Sequence, residues 1–137
     1  MSNPYDETMF RLNEGDLPAH FWIVTAFNPD GVTVTPETNL GHDARLRARV
    51  VADGWLHFRV TGLSPDEKHA EPGWGIDCPR VAAFALGAEF NQQAIFEVDG
   101  DELELWYVAD DRELTLGSFR RRVIGALTAG TDPEETS

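Results

Sequence analysis

The chain is short of several things, and each shortage excludes something. One cysteine among 137 residues excludes an internal disulfide framework and a zinc site built from several cysteines. Basic residues are scarce: 11 Lys and Arg stand against 24 Asp and Glu, a formal net charge of -13. Such a balance argues against wrapping nucleic acid or lying on an anionic membrane, because both need a positive surface. No apolar run approaches the roughly 20 residues of a membrane span. The opening stretch, MSNPYDETMFRLNEGD, lacks the basic-then-apolar layout of a signal peptide. Internal repeats, low-complexity tracts, a Gly-rich phosphate loop and a nucleophile elbow are also missing. The expectation is an acidic, cytoplasmic protein with no cofactor, no nucleic-acid partner and no membrane.

What is present reads as one α+β domain over residues 19–130. A polar lead-in, residues 1–18, precedes it; there Met9, Phe10 and Leu12 can pack on the body. A disordered tail, residues 131–137, follows. His20 to Phe27 is an aromatic, β-branched strand, apolar on both sides and ended by Asn28-Pro29-Asp30-Gly31. A helix follows Thr35 as N-cap, with Pro36 and Glu37 in its first turn and Gly54 as its stop. Its apolar stripe is Leu40, Ala44, Ala48 and Val51, widened by Leu46 and Val50. Trp55 to Thr61 alternates as a half-buried strand, with Leu56, Phe58 and Val60 inward. His69 to Ile76, interrupted by Pro72, Gly73 and Gly75, is at most an irregular strand. A second helix starts near Pro79, capped by Asp77 or Cys78, and stops at Asn91. Ala94 to Val98 and Leu103 to Val108 flank the hairpin signal Asp99-Gly100. A last helix is predicted from Ser118 to Ala129, with Leu116, Phe119, Val123 and Leu127 on one side.

This order suggests a ferredoxin-like two-layer βαββαβ sandwich with an extra C-terminal strand and helix. The alternative is a plain α+β layer with another strand order. In the ferredoxin-like arrangement, the connections after the first strand, the second strand and the second helix share one end of the sheet. That end would gather Thr25, Asn28, Asn39, the stretch Asp66 to Glu71, and Asn91-Gln92-Gln93. The sheet face opposite the helices would need a cover, from the last helix in a monomer or from a second copy in a homodimer.

Three readings of function follow. One is a small binding or regulatory domain that holds a small polar molecule at the polar end of the sheet. Its candidate residues are Thr25, Asn28, Asn39, Glu71, Trp74, Gln92 and Gln93. Glu71 with Gln92 or Gln93 is the central pair, because a carboxylate and a carboxamide together can orient a ligand amine. The second reading is a metal-independent enzyme with Glu71 as general acid or base. The third is a protein-interaction module acting through an apolar sheet face. Glu67, His69 and Glu71 alternate as a metal site would, but on one Pro- and Gly-containing stretch a solvated acidic loop is the commoner outcome, so no metal is assigned. Cys78 with His69 is a conceivable nucleophilic pair, set against a plain capping cysteine. His20, His42 and His57 read as structural or exposed.

At Val24-Thr25-Ala26-Phe27-Asn28-Pro29, Asn39, Glu71 and Phe90-Asn91-Gln92-Gln93-Ala94, the chain resembles the DUF3293 family of bacterial proteins of unknown function. Asn91 stands where the family pattern has Gly, and both tolerate a left-handed backbone. The resemblance implies no particular reaction; it draws attention to the polar end of the sheet.

Overall fold

The computed structural model describes residues 7–12 and 16–125. The predicted tail and residues 126–129 of the predicted last helix lie outside them. The described chain is α+β, with two α-helices on a mixed sheet of eight strands. The strands are β1 (Met9–Leu12), β2 (His20–Thr25), β3 (Leu56–Leu63), β4 (Ala70–Asp77), β5 (Ala94–Asp99), β6 (Glu102–Tyr107), β7 (Glu113–Ser118) and β8 (Val123–Gly125). Helix α1 (Pro36–Asp53) follows β2, and α2 (Arg80–Glu89) follows β4. The sheet order is β7-β6-β5-β2-β4-β3-β1-β8. All pairs are antiparallel except β1 with β8.

The sheet must curl. Its two edge strands, β7 and β8, are joined by residues 119–122, which reach at most about 18 Å. Laid flat, eight strands would hold those edges about 34 Å apart. Curling gives a convex face, where α1 and α2 pack, and a concave face that fills itself. Phe10, Phe21, Ile23, Phe58, Val60, Val98, Leu103, Phe119 and Val123 form the concave core. Its aromatic rings meet edge-on, as with Phe21 and Phe58 at 5.0 Å between centroids. On the convex face Trp22, Val24, Leu46, Val50, Trp74, Ile76 and Leu86 pack beneath the helices.

Several sequence expectations change here. The lead-in contributes a real strand, β1, whose Phe10 and Leu12 are buried. The predicted C-terminal helix is absent from residues 118–125, where β7 ends, a short 3-10 turn follows, and β8 begins. Gly117, at φ 95°, sits at a bulge just ahead of the predicted helix, and the pairing of β7 with β6 runs on through Ser118. The concave face is thus covered by the sheet's own edges and Phe119. Helix α1 has the predicted caps: Thr35 Oγ1 accepts from Thr38 N, and Gly54 is left-handed at φ 79°. Its buried face, however, is Asn39, Asp43, Leu46 and Val50, while Leu40 and Val51 are 62 % and 52 % exposed. Leu46 and Val50 of the predicted stripe thus face inward, while Leu40, Ala44, Ala48 and Val51 do not, and the rest of the buried face is polar.

Candidate ligand site at the mouth of the curled sheet

The site is built where β2 and β3 finish and β4 and β5 begin, here called the upper end. Thr25 closes β2: its hydroxyl donates to Pro72 O at 2.7 Å and accepts from Phe27 N at 3.1 Å. Opposite Thr25 stands Gly73, where a Cβ would lie 2.8 Å from Val24 O. Only glycine lets β2 and β4 approach this closely.

The chain then enters a left-handed residue, Asn28, at φ 49°. A buried side chain holds it there. Asn28 N donates to Asn39 Oδ1 at 2.8 Å, and Asn39 Nδ2 donates back to Asn28 Oδ1 at 2.9 Å. Asn39 is only 5 % exposed, so this reciprocal pair satisfies a polar group that burial would otherwise penalise. Val34 N also donates to Asn28 Oδ1, at 3.2 Å. With its oxygen fully used, Asn28 turns its Nδ2 to Glu71 Oε2, at 3.0 Å. Among the described residues, Glu71 Oε1 receives no hydrogen bond.

The turn before β5 closes the other side. Asp30 N donates to Asn91 O at 2.7 Å, and Asn91 is left-handed at φ 56°. Gln92 Nε2 donates to the carbonyls of Phe27 and Phe90, both at 3.2 Å. Two carbonyl acceptors fix the orientation of that amide and leave its Oε1 as the unused atom. Gln93 Nε2 makes only a long contact to Asp30 O, at 3.5 Å. Between β3 and β4, the Ser64 hydroxyl and Lys68 N–H hold the Asp66 carboxyl below its usual value, and Ser64 Oγ accepts from His69 N.

Together these loops rim a cavity of about 360 Å³ that opens on the concave side. Its walls include Phe10, Ile23, Phe27, Val60 and Phe96, and its rim includes Asn28, His69, Glu71, Gln92 and Gln93. Five non-glycine residues have left-handed φ among those described: Asn28, Asp30, Glu67, Asn91 and Asp111. All five belong to upper-end connections, and Asn28 among them lines the cavity.

Of the sequence-predicted residues, Thr25, Asn28, Glu71, Gln92 and Gln93 line this cavity, and Asn39 supports it from behind. Trp74 is not with them. It pairs in register with Val24 and Arg59, and strand alternation puts all three on the convex side. There the Arg59 guanidinium lies 3.7 Å from the Trp74 ring centroid and forks onto Asp43 at 2.9 and 2.8 Å. Glu67 turns away to Arg11 at 3.1 Å, while Glu71 faces Asn28, so the alternating carboxylates separate. Cys78 and His69 fall at opposite ends of β4. Burial, with the Asp77 charge adding to it, pushes the Cys78 thiol up to about 11, so it stays protonated near neutral pH. The walls Phe10, Phe96 and Gly62 have no signal in the sequence, because only the curl brings β1 and β5 to one opening.

This is an α+β domain with a polar-rimmed cavity at the mouth of a curled sheet. Residues 24–95, more than half of the chain, match the family described as "Protein of unknown function (DUF3293)". The chain belongs to that family, and the matched span contains every predicted site residue, Trp74 included. No curated protein and no solved structure shows a significant match.

Proposed function

We propose that the chain is a small binding domain that holds a small molecule in the mouth cavity at the upper end of the sheet. The observation that carries this reading is the cavity itself: about 360 Å³, apolar within, and rimmed by polar side chains, of which Asn28 is held by the amide of buried Asn39. That volume is near the lower end of small-molecule sites, about 300 to 1,000 Å³. The order β5-β2-β4-β3, with helices after β2 and β4, supports a ferredoxin-like βαββαβ core widened by two strands on each side. The cytoplasm is the compartment this reading carries.

Gly62 gives the test. It lies on the concave side at the cavity wall, and a Cβ there would meet Thr8 Cγ2 at an ordinary 3.6 Å. Gly62→Leu should therefore fold while its side chain fills the mouth. A panel of single-ring aromatic fragments, followed by saturation-transfer NMR, should give binders to the unaltered protein that are lost in Gly62→Leu. Fragments that bind both proteins alike, or none that bind at all, would sink the proposal.

A further inference from the structure

We infer that the ligand carries a cationic, hydrogen-bond-donating head, a primary ammonium or an amidinium, on a compact apolar body. This rests on the cavity reading above and adds the ligand's class. The first argument is charge. Glu71 is a carboxylate at the rim, and no Lys or Arg is among the described residues that line the cavity. The one basic side chain in the lining is the His69 imidazole, so an anionic head would meet the full charge of Glu71 with no permanent cation beside it, in a chain whose net charge is already -13.

The second argument is a count of spare hydrogen-bonding capacity. Thr25 Oγ1 donates to Pro72 O and accepts from Phe27 N. Ser64 Oγ donates to Asp66 and accepts from His69 N. Gln92 Nε2 is held by two carbonyls. The rim keeps donors too, in the second N–H of Asn28 Nδ2, the Gln93 amide and the His69 ring, but its acceptors Glu71 Oε1 and Gln92 Oε1 have no donor among the described residues, and Glu71 carries the charge that an N–H-bearing cation answers. The third argument is the wall. Phe10, Phe27 and Phe96 offer apolar surface to a compact body.

Phenethylamine, phenethyl alcohol and phenylacetate share one body and differ in the head, so titrating each into the full chain separates the two levels of the argument. Amide NMR should show saturable shifts at residues 25–28, 62–64 and 92–96 with the amine. The alcohol should bind about tenfold more weakly, a loss that matches one charge-assisted hydrogen bond. Phenylacetate should bind more weakly still. Glu71→Gln should weaken the amine about tenfold and leave the alcohol nearly unchanged. Its thermal melt, matching that of the unaltered protein, would show that the loss is local. A preference for phenylacetate, or an amine affinity indifferent to Glu71→Gln, would overturn the cationic class. Shifts at those amides that Gly62→Leu abolishes would then still support the cavity. Absence of saturable shifts there with all three probes would overturn the class and the cavity together.

Discussion

Two carboxylates at opposite ends of the curled sheet are used differently. At the lower end, in the β5–β6 hairpin, Asp101 has both oxygens occupied: Oδ2 accepts from Ser118 Oγ at 2.6 Å and Oδ1 from Arg120 N at 2.8 Å. Partial desolvation works against its charge, but the Ser118 hydroxyl, the Arg120 N–H and the charges of Arg120 and Arg121 outweigh it. Its carboxyl is held below the usual aspartate value. At the upper end, Glu71 has one oxygen on Asn28 and the other without a donor among the described residues. A fully occupied carboxylate fastens two strands. A half-occupied one, steadied by a neighbour at a cavity, is set up to receive something else. The position of the polar group matters less than the capacity left over after the fold has used its share.

The strongest effect should come from the seam under the upper end. Gly73→Ala forces a Cβ to 2.8 Å from Val24 O, a backbone atom that cannot swing aside. Overpacking of this kind costs about 3 kcal/mol at the upper end of its usual range, and urea unfolding would measure it. Next, Asn39→Ala removes the reciprocal pair and leaves Asn28 N unsatisfied, a loss of about 2 kcal/mol. Its amide spectrum should show the change at Asn28 and Val34, with α1 otherwise intact.

Asp101→Ala should cost less, about 1 kcal/mol, because the site is exposed and screened. Its sign with pH is fixed. A carboxyl held below its unfolded value contributes fully above the ordinary aspartate range and loses that contribution as pH falls through the depressed value. The difference between the two proteins should therefore hold at neutral pH and vanish in strong acid, as thermal melts across pH would show. Smallest of all, Glu71→Gln should change stability by no more than about 0.5 kcal/mol. If it cost as much as Asp101→Ala, the contrast between the two carboxylates would fail, and Glu71 would be a fastening too.

Local chemistry made much of this legible from sequence. Thr35 and Gly54 bound α1 because caps are chosen by the residues themselves, and Asp99-Gly100 turned as a hairpin for the same reason. Of the buried face of α1, Leu46 and Val50 were legible and the polar half was not. Asn39 and Asp43 point inward because Asn28 and Arg59 wait for them, partners supplied by β2's exit and by β3. The last helix failed because Leu116, Phe119 and Val123 fit helical spacing as well as they fit a bulged strand, a turn and a strand in succession. At the site, Trp74 was misplaced because Pro72, Gly73 and Gly75 made His69 to Ile76 read as irregular, whereas β4 is regular from Ala70 to Asp77 and its alternation sets Trp74 and Glu71 on opposite faces.

The parallel pairing of β1 with β8 bears on how the molecule is made. Phe10 pairs with Val123, so the first of the described strands meets its outer neighbour only after the other described strands have been made. The entropy of closing so long a loop opposes that contact, which makes it a candidate for the slow phase of folding. Until then β1 can pair only with β3, and its other edge stays open to any passing strand, including one from another nascent chain. Arg122, reaching Thr8 O at 3.2 Å and Leu116 O at 3.0 Å, joins the two margins as the closing clasp. A chain released before Val123 would carry the aromatic interior without the strand that shuts it.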